Sequence, residues 1–138
     1  MAKRVLVLCT GNSCRSQIAE GYLRHFAEKD WDIYSAGIET HGVNLRAIEV
    51  MKEDGIDISG HRSNNIDEYK DLKFDYIITV CDNANENCPF FPDKAERFHN
   101  NFPDPAKVTG TEEGIMGEFR RVRDMIKEYS KGFVEDHL

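Results

Sequence analysis

The chain has 138 residues, of which 40% are hydrophobic and 31% are charged, a composition typical of a soluble globular protein. Its net charge of −7 argues against nucleic acid and against an anionic membrane surface as partners. No apolar run approaches the roughly 20 residues that cross a bilayer, and residues 1–4 lead directly into an apolar run. We therefore expect a cytoplasmic protein without a signal peptide or a membrane span.

Strands and helices are predicted to alternate along the chain. Apolar runs predict strands over residues 3–9 and 74–80, and two further strands are predicted over residues 32–37 and 97–100. Helices are predicted over residues 16–28, 45–54 and 66–72. Asn44 is a suitable N-cap for the second helix, and Gly55 is well placed to end it. A last helix is predicted from apolar residues at alternating intervals of four and three, namely Ile115, Phe119, Val122, Ile126, Tyr129 and Phe133.

This alternation predicts an α/β fold with an open, mostly four-stranded parallel sheet and helices on both faces. No repeat or linker interrupts the chain, so we expect residues 1–138 to form one domain. Ligands of such sheets bind beyond the carboxyl ends of the strands. Because Cys9, Cys81 and Asp104 all fall at or just past such ends, we expect them to share one functional site.

The stretch Cys-Thr-Gly-Asn-Ser-Cys-Arg-Ser at residues 9–16 joins the first predicted strand to the first predicted helix. Its small and polar residues allow backbone N–H groups to turn toward a common centre, which at the positive end of a helix makes an oxyanion site. The same field favours a thiolate and predicts a lowered pKa for Cys9. Arg15 can bind a tetrahedral oxyanion through two parallel hydrogen bonds. We therefore predict a nucleophilic thiolate under a bound phosphate-like anion.

This stretch resembles the anion-binding loop of the low-molecular-weight protein tyrosine phosphatase family, which includes one group of arsenate reductases. The predicted substrate-binding residues are Thr10, Gly11, Asn12, Ser13, Cys14, Arg15 and Ser16. The resemblance supports a hydrogen bond from Ser16 to the Cys9 thiolate. We expect the Asn12 side chain to fix the loop shape, and Cys14 to contribute its backbone amide rather than its thiol.

Asp104-Pro105 follows the fourth predicted strand, where the proline holds the aspartate on an extended loop. From local sequence alone, an ordinary Asp-Pro turn is the better interpretation. The resemblance instead implies that Asp104 is the general acid that protonates a leaving oxygen. Pro105 is followed by Ala106, without the aromatic neighbours that help the phosphatases to recognise phosphotyrosine. This departure weakens the interpretation as a tyrosine phosphatase.

Four cysteines occur, at positions 9, 14, 81 and 88. In a reducing cytosol they are poor candidates for structural disulfides, and their spacings do not match a zinc site. Hydrolysis of a phosphate ester needs no cysteine beyond Cys9. Reduction of arsenate takes two electrons, which two thiols supply by forming a disulfide. Cys81 and Cys88 therefore favour a reductase.

Over nearly the whole chain, the sequence resembles thioredoxin-coupled arsenate reductases. The regions that carry this resemblance are residues 9–16, 34–44, 81–89 and 120–124. The resemblance implies that Cys9 attacks arsenate while Asp104 protonates the departing hydroxyl. Cys81 then forms an intermediate Cys9–Cys81 disulfide, and Cys88 converts it to a final Cys81–Cys88 disulfide. Thioredoxin is the implied external reductant, and we expect a monomer without a tightly bound cofactor.

Several further expectations follow from single positions. Some relatives bind potassium beside the anion-binding loop, but Asn64 stands where they have an aspartate, so we predict no bound metal. The five histidines show no convergence with the cysteines, which favours surface or capping positions. Residues 82–88 are expected to be helical when reduced, and a Cys81–Cys88 disulfide would then require this segment to unwind.

Two alternatives remain open from the sequence. One is a small phosphotyrosine phosphatase, which would use Cys9, Arg15 and Asp104 alone. The other is a redox sensor, in which Cys81 and Cys88 respond to oxidant and the anion-binding loop is vestigial.

Overall fold

The computed structural model describes residues 3–27, 31–82 and 95–137. Within them, four strands form one parallel sheet in the order β2-β1-β3-β4. The strands are β1 (Lys3–Cys9), β2 (Trp31–Gly37), β3 (Tyr76–Thr79) and β4 (Glu96–His99). The α-helices of these residues are α1 (Arg15–Ala27), α2 (Leu45–Glu53) and α3 (Glu112–His137), with short 3-10 turns at Ile66–Tyr69 and Pro105–Lys107. The predicted α/β class with a parallel sheet is confirmed.

Strand β1 lies in the interior of the sheet and is covered on both faces. Residues 5–8 have no exposed surface, and successive side chains of a strand point to opposite faces. Other elements must therefore cover the sheet on both sides, as predicted. β1 pairs with β2 along its whole length, which sets Cys9 opposite Gly37. This register places the end of β1 beside the end of β2.

Strand β3 is shorter than the predicted strand over residues 74–80. Tyr76–Thr79 pair with both neighbouring strands, whereas Phe74 and Val80 are buried outside the strand. The ring of Phe74 packs edge to face against the ring of Tyr34. The apolar run in the sequence therefore reflects burial as well as strand pairing.

Other elements also differ from their predictions. Strand β4 begins and ends one residue earlier than the predicted residues 97–100, and the helix predicted over residues 66–72 is a four-residue 3-10 turn. Only Ile66 of that turn is buried, so little apolar packing supports a longer helix. Asp82 has helical conformation at the start of the predicted segment 82–88. The rest of that segment lies outside the described residues.

Helix α2 has the predicted caps. The Asn44 side chain accepts hydrogen bonds from the amides of Arg46 and Ala47 at 2.8 and 3.2 Å. After the helix, Gly55 has a φ of 80°, a left-handed conformation that glycine adopts without steric cost. These two residues therefore set where α2 begins and ends.

Helix α3 buries the predicted apolar face and packs on α1. Among the residues whose spacing predicts the helix, those fully buried are Phe119, Val122, Ile126 and Phe133. Ile115 and Tyr129 are only partly buried, at the edges of the same face. No helix in the described ranges is long and apolar enough to cross a membrane.

A polar contact ties the three helices together. The hydroxyl of Tyr22 on α1, which is fully buried, donates to Asp54 Oδ2 at 2.7 Å. Asp54 follows the last residue of α2 and forms an ion pair of 2.9 Å with Lys127 Nζ on α3. The hydrogen bonds from Tyr22 and Lys127 hold the pKa of Asp54 below its usual value.

We expect Tyr22→Phe to lower the free energy of unfolding by about 1 kcal/mol at neutral pH, because it removes a hydrogen bond to a carboxylate. A lowered carboxyl pKa stabilises the folded state above 3.8, the ordinary value for Asp54, and this contribution is lost as pH falls through the folded value. The difference between the proteins should therefore shrink in acid. Urea unfolding at neutral pH and well below pH 3.8 measures both quantities, and equal stabilities at neutral pH would contradict the assignment.

Candidate active site

The anion loop (residues 9–15) connects β1 to α1, and its carbonyl groups from residue 9 to 14 are all bound from outside. Four of them accept hydrogen bonds from amides of a strap (residues 38–44), at 2.8 to 3.3 Å. The other two, of Asn12 and Cys14, accept from Gln17 Nε2 at 3.0 Å and from Ile18 N at 2.9 Å. In the part of the chain that the structure describes, no amide from residue 11 to 14 donates to another group. These amides are therefore available to an oxyanion.

Two buried residues fix the shape of the anion loop. Asn12 has a left-handed φ of 47°, and its side chain accepts from Asn64 N at 2.7 Å and donates to Ser16 Oγ at 2.8 Å. The expected shaping role of Asn12 is thus visible in the structure. A Cβ at Gly37 would lie 2.7 Å from both the Thr10 carbonyl oxygen and the Asn12 amide nitrogen, so only glycine fits there. The hydrogen bond from Ser16 to the Cys9 thiolate stays a prediction.

Arg15 and Asp104 come together as the sequence implies. The Arg15 side chain is only 11% exposed; its Nη1 donates to Phe102 O at 2.9 Å, and its Nη2 lies 3.6 Å from Asp104 Oδ2. The Asp104 carboxylate also accepts from Ala106 N at 3.0 Å, which caps the 3-10 turn after it. The Asp-Pro turn expected from local sequence and the position expected from the resemblance are therefore both present.

A cavity of about 290 Å³ lies over the anion loop. The predicted site residues that line it are Cys9, Thr10, Gly11, Ser13, Cys14, Arg15 and Asp104. Asn12 and Ser16 are fully buried and do not line the cavity, so they support the loop from behind. The cavity thus brings together a thiol, a guanidinium and a carboxyl group beside free amides. Nucleophilic substitution at a tetrahedral oxyanion uses these groups as nucleophile, anion-binding groups and general acid.

Two residues of this cavity were missed by sequence reasoning, His41 and Lys107. The His41 ring packs so closely on Gly11 that a Cβ there would lie 2.6 Å from Nδ1, and its Nε2 lies 2.7 Å from Glu39 Oε2. The expectation that no histidine converges with the cysteines is therefore wrong for His41, whereas the expected surface position is confirmed, since its side chain is 56% exposed. Spacing along the chain gives no signal for His41, whereas Lys107 could have been found from its place three residues after Asp104.

Cys81 is buried beside Cys9, as the sheet order requires. Leu8 of β1 is opposite Thr79 of β3, so both cysteines follow the same end of adjacent strands. The Cys81 thiol forms a hydrogen bond with the Cys9 thiol and lies 3.3 Å from Thr10 Oγ1. Cys9, Cys14 and Cys81 are all free thiols. The anion loop therefore has a second sulfur in contact with its nucleophile.

The pKa of Cys9 is raised rather than lowered, which corrects the sequence prediction. Its hydrogen bond with Cys81 and its burial raise the pKa, while Arg15 and the Thr10 amide lower it. The sequence predicts Cys81 at the same site, but the predicted pKa of Cys9 takes account only of the groups that lower it, not of burial and of the Cys81 thiol. Because two thiolates in contact repel each other, the pair binds its last proton tightly. Burial similarly raises the pKa of Cys14 to about 12, in keeping with a thiol that takes no part in chemistry.

Cys88 and the Cys81–Cys88 disulfide lie outside the described residues, so they stay predictions. Within the described ranges, no cluster of three or more His, Cys, Asp or Glu side chains could hold a metal ion.

The sheet, the anion loop and the facing Asp-Pro turn together define a phosphatase-type oxyanion site. The chain belongs to the low molecular weight phosphotyrosine protein phosphatase family, whose model matches residues 4–137.

Individual relatives and solved structures show which members of this family the chain resembles. The chain is 51% identical to an arsenate reductase of Halalkalibacterium halodurans over 136 residues, which is 98% of each protein. It is 47% identical to an arsenate reductase of Bacillus subtilis over 133 residues, or 96% of each. Among solved structures, an arsenate reductase in the oxidized state matches with a TM-score of 0.83 at 30% identity, covering 97% of this chain and 98% of that one. A low molecular weight protein tyrosine phosphatase from T. tengcongensis matches with a TM-score of 0.81 at 25% identity, covering 97% and 99%.

We expect Cys81→Ala to lower the pKa of Cys9. The substitution removes the hydrogen bond and the like charge that raise this pKa, whereas Arg15 and the Thr10 amide, which lower it, remain. The pH dependence of Cys9 alkylation by iodoacetamide, followed by mass spectrometry, measures the shift. Cys14→Ala is the matched control, since the Cys14 thiol is not among the groups that shift Cys9. An unchanged or higher pKa in Cys81→Ala would contradict the assigned cause.

Proposed function

We propose that this protein reduces arsenate to arsenite, with Cys9 as the nucleophile and Cys81 as the thiol that completes the reduction. The hydrogen bond between these two thiols, of which Cys9 lines the oxyanion cavity, carries this proposal. Hydrolysis of a phosphate ester needs no second thiol there, whereas a two-electron reduction does. Relatives described as arsenate reductases, matched over nearly their whole length, support the same choice.

The first step uses the anion loop, Arg15 and Asp104. The loop amides and the Arg15 guanidinium bind arsenate, and the Cys9 thiolate attacks the arsenic atom. A bond forms between Cys9 Sγ and arsenic, and one hydroxyl leaves. Asp104, which lines the same cavity, gives that hydroxyl the proton that converts it to water. Arsenic remains pentavalent at the end of this step.

The second step transfers the two electrons. The Cys81 thiolate attacks Cys9 Sγ, the sulfur–arsenic bond breaks, and its electron pair stays on arsenic, which leaves as trivalent arsenite. The two sulfurs are oxidised together to a Cys9–Cys81 disulfide. The Thr10 hydroxyl, 3.3 Å from Cys81 Sγ, can donate a hydrogen bond to the attacking thiolate.

Regeneration extends this proposal to Cys88 and thioredoxin. Cys88 attacks Cys81, which frees Cys9 and leaves a Cys81–Cys88 disulfide for thioredoxin to reduce. Sequence alone supports this step, since Cys88 lies outside the described residues. In the same proposal the enzyme acts as a cytoplasmic monomer without a tightly bound cofactor.

One observation favours a second candidate function, hydrolysis of phosphate esters. Cys9, Arg15 and Asp104 line a cavity that is complete without Cys81, so the first step alone can run on phosphate. However, the described residues that line this cavity include no Phe, Tyr or Trp that could stack on a phosphotyrosine ring. We therefore propose weak phosphatase activity as a side reaction.

Substitution of single cysteines should separate arsenate reduction from phosphate ester hydrolysis. With arsenate, thioredoxin, thioredoxin reductase and NADPH, we expect steady NADPH consumption by the wild type. Cys9→Ser should reduce both arsenate turnover and p-nitrophenyl phosphate hydrolysis to background, because an alkoxide is far harder to form than a thiolate. Cys81→Ser and Cys88→Ser should lose arsenate turnover and keep weak hydrolysis.

The matched control is Cys14→Ser, which should keep both activities because the proposed reaction uses only its backbone amide and its buried thiol has a raised pKa. Arsenate turnover by Cys9→Ser would refute the nucleophile. Loss of hydrolysis together with reduction in Cys81→Ser would show that the two activities are not separable. A redox sensor with a vestigial loop would show neither activity in the wild type.

A further inference from the structure

His99 joins two residues that flank Cys81. It is the last residue of β4, and its Nδ1 lies 2.7 Å from Thr79 Oγ1, on the neighbouring strand. Its Nε2 lies 2.7 Å from Asp82 Oδ1. Thr79 precedes Cys81 by two residues, and Asp82 follows it directly. The imidazole therefore bridges the chain across the second thiol of the proposed reaction.

Thr79 makes this bridge rigid at one end. It is buried within a strand that pairs on both sides, whereas the Asp82 side chain is 67% exposed. An exposed carboxylate alone would be solvated and would not restrain the chain. Through His99, Asp82 is instead tied to the sheet.

The bridge holds in either charge state of the imidazole. A carboxylate only accepts hydrogen bonds, so Nε2 must carry the proton that is donated to Asp82. The Thr79 hydroxyl can donate to Nδ1 when His99 is neutral and can accept from it when His99 is charged. The bond to Asp82 is therefore present in both forms of the imidazole.

Backbone contacts on both sides of Cys81 add to this restraint. The Asp82 amide donates to Asn101 Oδ1 at 3.1 Å, and the Val80 carbonyl accepts from Phe102 N at 3.1 Å. Cys81 is thus held between two tethered residues, with its thiol against Cys9 and Thr10.

We propose that His99 is a positioning residue that holds Cys81 in line for its attack on Cys9. This role rests on the proposed function, because Cys81 acts only in the second step. His99 does not line the cavity over the anion loop, so the attack of Cys9 on an oxyanion proceeds without it. Loss of the bridge therefore slows disulfide formation and leaves the first step unchanged.

Two substitutions of the same histidine separate its two ring nitrogens. In His99→Gln the amide nitrogen can take the place of Nε2 and donate to Asp82, whereas His99→Asn reaches only the place of Nδ1. We expect His99→Asn to slow arsenite release in a single turnover by roughly tenfold, the effect of losing one hydrogen bond to a charged group. His99→Gln should recover most of the rate, and p-nitrophenyl phosphate hydrolysis should equal that of the wild type in both variants.

A second measurement does not use arsenate. In a Cys14→Ser/Cys88→Ser background, diamide takes two electrons and two protons from Cys9 and Cys81 to form their disulfide. His99→Asn should slow this reaction about as much as it slows arsenite release. If the wild type fails to reduce arsenate while His99→Asn still slows disulfide formation, the proposed function falls and the positioning role stands.

Asp82→Ala tests the same bridge from its exposed end, where the fold should tolerate the change. It should slow disulfide formation by a factor similar to that of His99→Asn. Wild-type rates of disulfide formation in both Asp82→Ala and His99→Asn would overturn the proposal. A parallel loss of phosphate ester hydrolysis, or no recovery in His99→Gln, would show a merely structural role and overturn it as well.

Discussion

The site depends on one arrangement of hydrogen bonds, in which the carbonyl groups of the anion loop are bound from outside. Peptide N–H and C=O groups point in opposite directions, so a loop whose carbonyls face the strap and α1 must turn its amides inward. The strap follows β2, and β2 is in register with β1 from end to end. The sheet therefore preorganises the amide ring before any anion arrives, and an anion need not pay for ordering the loop.

A second sulfur changes what this ring can do. Alone, the ring and Arg15 would lower the pKa of Cys9 and suit it to phosphoryl transfer. The thiol of Cys81 raises that pKa and at the same time offers an electron donor within contact distance of the nucleophile. Once Cys9 has attacked a bound oxyanion, its sulfur carries a covalent bond instead of a negative charge. The Cys81 thiol, which disfavours that charge, then no longer opposes the state of Cys9.

Much of this arrangement could be predicted, since the sequence encodes it locally. Apolar runs predict β1 and β3, Asn44 and Gly55 predict the bounds of α2, and a cysteine six residues before an arginine predicts the anion loop. The misses come from contacts between distant segments. The raised pKa of Cys9 needs the neighbouring β3, and His41 reaches the cavity through the strap's hydrogen bond to Gly11. The contact of His41 leaves no spacing that can be read along the chain, whereas Cys81 is expected at the site and only its effect on the pKa of Cys9 is missed.

The different ways in which the two sulfurs are held match the order of the proposed thiol exchange. Cys9 ends a strand that pairs with β2 along its whole length, and the strap fixes the carbonyls around it. Moving Cys9 would therefore break hydrogen bonds at the carboxyl end of the sheet. Cys81 lies beyond the last residue of β3. Backbone hydrogen bonds of Val80 hold the chain before it, and side chains hold its thiol and the residue after it, through Thr10, His99 and Asn101. Side-chain hydrogen bonds can be exchanged singly for bonds to water at small net cost. Cys9 is therefore suited to hold the substrate, and Cys81, whose side-chain restraints can be released one at a time, to carry the oxidation away from it.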